Sequence, residues 1–257
     1  MSRTSILTPL HRIRFFKPRN MRLRPFHVMR FMGGALVPGY RFVWPQMAWW
    51  QNPGFNEFLA RFGEQKGMNT DRRWLLYQLQ RLTTSVAGDT AECGVFKGAG
   101  SYSILKVNEA STLERTHLVF DSFEGLSDPG TKDGDHWESG DLICGLETVK
   151  QALGDFDNVL YFKGWIPTRF EEVADRKFAY VHIDVDLFQP TLDSVAFFYD
   201  RLNPGGILVC DDYGFTNCPG ATSAVDQFLE DKPEKMIELG GGGGFFIKGT
   251  ETLATVF

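Results

Sequence analysis

Four aspartates in two short runs are the residues of this sequence best placed to do chemistry. His182-Ile-Asp-Val-Asp186 and Val209-Cys-Asp-Asp-Tyr213 each end an apolar stretch in carboxylates, with one helix-length segment between them. An apolar run that stops at an acid fits a buried parallel strand whose carboxyl end opens on a ligand cleft. Adjacent strand ends would bring Asp184, Asp211 and Asp212 within a few ångströms of each other. Three partly desolvated negative charges that close repel, or take up protons, unless a cation neutralises them. Oxygen-only donors select a hard cation, and a site that keeps waters suits Mg²⁺ better than zinc. Separate helix caps at Asp186 and Asp212 are the plainer reading, but three acids on two neighbouring strands favour a metal.

A second constellation lies earlier in the chain. Ala91-Glu-Cys-Gly-Val-Phe-Lys-Gly-Ala-Gly-Ser101 runs from a strand end through glycines into a helix. Glycines let the backbone approach a ligand, and a helix start offers free N–H groups to an anion. Glu92, Gly94 and Ser101 are the candidate ligand contacts here. The spacing is not GxGxxG in register, which weakens a dinucleotide reading. One βαβ unit later, Asp121 stands at the tip of a strand in Phe120-Asp-Ser-Phe-Glu-Gly-Leu126, followed by Ser122. An acid there reaches the ribose hydroxyls of an adenosine cofactor. Gly164-Trp165 follows another strand, where the indole could stack on a purine as readily as fill a core. His182 reads as a satisfied core histidine, and the acidic loop 128–141 as a gate over the site or, more plainly, a solvated loop.

These residues need a sheet to hold them. From Thr90 onward, strand-like runs (90–95, 117–121, 159–162, 180–184, 206–210) alternate with helix-like ones (101–107, 146–153, 168–173, 191–202, 221–231), and a hairpin closes the chain near 235–248. That alternation predicts an α/β fold with a doubly wound, mostly parallel sheet, Rossmann-like. Helical spacing over 55–66 and 72–86 places two helices before the first strand. Gly240 to Gly244 reads as a flexible turn before the last strand.

Upstream, residues 1–30 carry Arg3, Arg12, Arg14, Lys17, Arg19, Arg22, Arg24 and Arg30 and no acid, so the overall charge of −5 leaves −13 on the remainder. A basic arm on an acidic body could meet an anionic partner, but packing on its own body or a second subunit is the simpler expectation. The aromatic segment Phe42-Val-Trp-Pro-Gln-Met-Ala-Trp-Trp50 reads as a cap. The division expected is a basic arm and cap over 1–70 and a catalytic domain over 71–257. No apolar run approaches a membrane span, so a cytoplasmic protein is expected. The 4 cysteines lie far apart without a CxxC pair, which indicates neither a zinc site nor disulfides.

Glu92-Cys-Gly-Val-Phe-Lys-Gly98, Asp121-Ser-Phe-Glu-Gly-Leu126, Lys163-Gly-Trp165, His182-Ile-Asp-Val-Asp-Leu-Phe-Gln-Pro-Thr191, Asp211-Asp-Tyr-Gly214 and Cys218-Pro-Gly-Ala-Thr-Ser-Ala-Val-Asp226 occur in one order. Together, over about 88–230, they resemble the macrocin O-methyltransferase (TylF-like) family, whose members methylate sugar hydroxyls of antibiotics. The resemblance implies an S-adenosylmethionine-dependent O-methyltransferase. It implies the cofactor over the glycine turn with its ribose on Asp121, and Mg²⁺ on Asp184, Asp211 and Asp212. Asp184 would double as the proton acceptor. The acceptor would be a hydroxyl of a sugar or phenolic small molecule, with no nucleic acid involved, and the N-terminal segment would suit a homodimer. Rival readings are a nicotinamide-dependent oxidoreductase, a metal-dependent hydrolase and a non-catalytic binding module. The first does not explain the clustered aspartates and the second leaves the glycine turn and Asp121 idle.

Overall fold

The computed structural model describes residues 24–36, 47–67 and 69–254. The chain divides into two compact units, Met1–Asn52 and Pro53–Phe257. Of the first, helix α1 (Arg24–Leu36) and a single 3₁₀ turn (Ala48–Gln51) are described. The basic arm up to residue 23 and the start of the aromatic segment lie outside the described residues. In α1, Val28, Met29, Phe31, Met32 and Leu36 are exposed.

The second unit carries the sheet. Helices α2 (Pro53–Arg61) and α3 (Thr70–Arg81) lead into β1 (Asp89–Cys93), α4 (Ala99–Ala110), β2 (His117–Asp121), α5 (Leu146–Ala152) and β3 (Val159–Lys163). Then follow β4 (Phe178–Ile183), α6 (Phe188–Tyr199), β5 (Leu202–Cys210), α7 (Pro219–Leu229), β6 (Ile237–Glu238) and β7 (Gly244–Ile247). The sheet order is β3-β2-β1-β4-β5-β7-β6. The first five strands pair in parallel, and β7 runs antiparallel to both β5 and β6. This is the doubly wound sheet expected from the alternation. The order reverses between β1 and β4, where a cleft must open because the connections leave the two strands in opposite directions.

Two layers of core flank the sheet. Every residue of β4 is buried, as the unbroken apolar run required. On one face, Phe120, Phe162, Phe170, Phe178 and Phe198 pack into an aromatic block with α6 and α7. On the other, Leu76 and Leu79 of α3 meet Ile104, Tyr180, Ile207 and Val209.

Several boundaries differ from the sequence expectation; α2 ends at Arg61, α6 at Tyr199, and β5 begins at Leu202. Helix α3 stops at Arg81 and leaves Leu82 exposed. The crossover at 168–173 is one 3₁₀ turn, Phe170–Val173, rather than a helix; Pro167, which has no N–H and a fixed φ, stands just before it. Helix α6 begins at Phe188, three residues early, because the carboxylate of Asp133 accepts the Phe188 N–H at 2.6 Å. Such a cap satisfies one of the orphan donors of a helix start. The glycine run before β7 forms a hydrogen-bonded turn, with Leu239 N–H donating to Gly243 O and Gly243 N–H to Tyr213 O.

Candidate active site

The carboxyl ends of β1, β2, β4 and β5 open on one cleft of about 830 Å³. Glu92, Gly94, Asp121, Ser122, Trp165, Asp184, Asp211 and Asp212 all line it. Ser101 and Gly164 are not on its wall.

The glycine-turn half is built from backbone shape. Gly94 has φ +77, and a Cβ there would fall 1.8 Å from the Asp184 carbonyl oxygen, so only glycine lets β1 and β4 run this close at their ends. The Asp184 N–H donates to Cys93 O at 2.8 Å across the same gap. Asp121, raised in pKa by burial, accepts the N–H groups of Val95 at 2.8 Å and Phe123 at 2.6 Å. It thereby ties the turn after β1 to the turn after β2. Phe96 (φ +44) and Phe123 (φ +56) take the left-handed conformation unusual for bulky residues, a strain that collects at ligand sites. Ser122 Oγ donates to Gly125 O at 2.8 Å and closes that turn. Gly164 donates its N–H to Asp121 O, which sets the half-exposed Trp165 at the rim.

Beneath this half runs a buried polar chain. Glu92 is 1% exposed and accepts from the Ser101 hydroxyl and, at 2.7 Å, from His182 Nδ1. Ser101 Oγ also bonds His117 Nε2 at 2.9 Å, and His117 Nδ1 bonds Thr90 Oγ1 at 3.0 Å. Ser101 is thus turned into the protein interior. Burial holds His117 down to about 4 and hence neutral.

The other half is built from charge. Asp184, Asp211 and His182 offer ligand atoms mutually within 4.8 Å, and so, as a second group, do Asp186, Asp212 and Cys218. The expected trio is therefore divided: Asp184 and Asp211 face His182, while Asp212 faces Asp186 and accepts its backbone N–H at 2.8 Å. Burial and then Asp211 push Asp184 up to about 6. Burial and the neighbouring aspartates push Asp186 up to about 8 and Asp212 well above the carboxylate range. Asp211 goes the other way: against its burial, His182 and Arg72 hold it below the ordinary range. The Arg72 guanidinium stands 2.6 Å from Asp211 Oδ2. His182, whose burial alone would lower it, is raised to about 10 by Asp211 and Glu92. Among the described residues its Nε2 has no hydrogen-bond partner, and it lies 3.6 Å from Asp211 Oδ1, so it is not the satisfied core histidine expected.

The sequence pattern reads Asp186 only as a cap and gives the Arg72-Arg73 pair no role; a double arginine in the first turns of a helix is its one signal. The loop 128–141 is not simply solvated, and it brings Trp137 to the cleft wall. Its base is closed by Leu126 N–H to Asp141 O and Gly140 N–H to Leu126 O. Asp133 is buried on α6, and Trp137 Nε1 donates to Cys218 Sγ at 3.4 Å.

Both halves suit the groups their chemistry calls for. Gly94 lines the cleft without a side chain while the ends of β1 and β4 close up behind it, and the acid half holds more buried carboxylates than its cations neutralise.

A seven-stranded sheet in this order, with its cleft at the β1/β4 switch, is the architecture of the Rossmann-like S-adenosylmethionine-dependent O-methyltransferases. The calicheamicin methyltransferase CalS11 superposes with a TM-score of 0.63 at 16% identity, over 97% of this chain and 100% of that one. The O-methyltransferase NovP gives 0.56 at 24%, over 70% and 80%. The family model of the macrocin-O-methyltransferases (TylF) matches residues 75–246, and the chain belongs to that family. It is 30% identical over 152 residues to the 8-demethyl-8-(2,3-dimethoxy-alpha-L-rhamnosyl)-tetracenomycin-C 4'-O-methyltransferase of Streptomyces olivaceus, covering 54% of this chain and 58% of that protein. It is also 30% identical over 167 residues to the mycinamicin III 3''-O-methyltransferase of Micromonospora griseorubida, covering 58% and 63%. The matches thus span about three-fifths of the length of these curated relatives.

Proposed function

We propose that this protein transfers a methyl group from S-adenosylmethionine to a hydroxyl of a small molecule bearing a sugar unit, with a divalent cation, Mg²⁺, at the acid half of the cleft. The observation that carries the reading is the juxtaposition, in one cleft, of the glycine turn on β1 and the buried carboxylates at the ends of β4 and β5. Family membership and the names of the relatives, which methylate sugar-bearing natural products, support the acceptor class.

In this reading Gly94 forms the bare wall of the cofactor's half of the cleft, Asp121 faces its ribose, and Trp165 covers its base. Ser122 and Gly164 hold the two turns that shape this half. Glu92 serves the cofactor through its place on the wall, and Ser101 serves it indirectly by fixing Glu92. Asp184 and Asp211, joined by Asp212 from the adjoining group, would hold the cation, which would supply a Lewis acid that eases loss of the acceptor's hydroxyl proton. Asp184 takes up that proton on its carboxylate, next to the Gly94 wall. Alignment of donor and acceptor supplies much of the rate. Among the described residues no helix is long and apolar enough to cross a membrane, consistent with work in the cytoplasm. The exposed apolar residues of α1 favour a homodimer.

Calorimetry with S-adenosylhomocysteine, followed by methyl transfer to a panel of glycosides with and without Mg²⁺, tests the reading. Micromolar cofactor binding with Mg²⁺-dependent transfer is expected. Turnover that is unchanged after chelation of divalent ions would remove the metal, and no binding of S-adenosylhomocysteine would remove the methyltransferase.

A further inference from the structure

The imidazole of His182 spans the two halves of the cleft. It is fully buried on β4, directly beside Glu92 of β1 in the sheet register. Its Nδ1 is fixed to Glu92 Oε1 at 2.7 Å, and Glu92 is itself anchored by Ser101, which His117 holds in turn. With the ring so seated, Nε2 lies 3.6 Å from Asp211 Oδ1, in one cluster with Asp184, and makes no hydrogen bond among the described residues. The other oxygen of Asp211, Oδ2, is held by Arg72 at 2.6 Å. Arg72 comes from α3 at the rim and is partly exposed, whereas His182 cannot leave. A buried polar atom left without a partner costs free energy, so its persistence points to a task.

We propose that His182 is a positioning residue that, seated by Glu92, aims the Asp211 carboxylate at the cation. This rests on the metal-assisted reading above. The arrangement has the logic of an outer-shell partner: a carboxylate orients an imidazole, the imidazole orients a ligating oxygen, and loss of such a partner weakens metal binding by about 10–100-fold. Were a cation to take the place of Arg72 at Oδ2, His182 would restrain the Asp211 carboxylate from its other oxygen.

Two amide substitutions separate the ends of the ring. His182→Asn keeps a nitrogen near the Nδ1 position and loses the reach to Asp211; His182→Gln places its nitrogen near Nε2. Titration calorimetry of each full-length variant is made with Mg²⁺ and, separately, with S-adenosylhomocysteine, alongside thermal unfolding. His182→Asn is expected to bind Mg²⁺ about 10–100-fold more weakly, with cofactor affinity within about threefold of wild type. His182→Gln is expected to recover most of the loss. Wild-type Mg²⁺ affinity in His182→Asn overturns the proposal. So does equal weakening of both ligands in both variants, since that is general damage. Absence of Mg²⁺ binding to the wild-type protein sinks the metal reading itself, a result distinct from either.

Discussion

The two halves of the cleft reach their function by opposite physical routes. The glycine-turn half is complete as it stands: Asp121 has its donors, Ser122 closes its turn, and Gly94 permits a strand approach no other residue would allow. Its cost is steric, stored in left-handed backbone at Phe96 and Phe123. The acid half is incomplete, with Asp184, Asp186 and Asp212 pushed toward protonation by burial and by one another. A site made of shape should therefore fail by losing stability and binding together. A site made of excess charge should lose activity while the fold gains.

The largest expected effect tests the second statement. Asp184→Asn should lower turnover by about 10²–10⁴-fold, the range of a lost acid–base group, while the metal-free protein melts at the same or a higher temperature because one repelling charge is gone. A clear drop in melting temperature would mean that Asp184 is structurally satisfied. Gly94→Val should do the reverse: a Cβ 1.8 Å from the Asp184 carbonyl forces the strands apart, and a strained backbone costs about 1–3 kcal/mol. Its melting temperature should fall by several degrees and S-adenosylhomocysteine binding should disappear in calorimetry.

Asp121→Ala sharpens the contrast at smaller scale. Losing a charged acceptor from two backbone donors costs about 1.5–3 kcal/mol of turn stability, so the melting temperature should fall by a few degrees and cofactor affinity should weaken with it. Unchanged affinity would place the ribose elsewhere.

The smallest effect is a pH dependence confined to the acid half. Carboxylates with raised pKa hold protons in the folded state that the unfolded chain has released, so their contribution to stability of the metal-free protein falls as pH rises through about 6 for Asp184 and about 8 for Asp186. A cation binds the ionised forms. The rise in melting temperature produced by Mg²⁺ should thus be larger at pH 8.5 than at pH 5.5, and an equal rise at both would argue against these carboxylates as the ligands.

Much of this was legible in the chain. Apolar runs ending in acids located β4 and β5, and the glycine run located the turn after β1, because both patterns reflect local burial and local backbone freedom. The division of the aspartates was not legible, since which side of a strand end each carboxylate takes depends on register across β1, β4 and β5. Nor were bonds between distant residues: Arg72 meets Asp211 across 139 positions and Asp133 caps α6 across 55. Ser101 sat in the right motif yet faces inward, because His117 and Glu92 are already there to receive it.

Asp133 bears on how the acceptor wall can change. Its two oxygens hold Gly130 within its own loop and Phe188 at the head of α6, and a side chain at Gly220, in the first turn of α7, would run into it. The segment that carries Trp137 to the cleft is thus riveted to two helices. Wholesale exchange of this segment for another would unseat both helices. A broadened acceptor range is better sought by altering single side chains such as Trp137 or Leu142 on an intact scaffold.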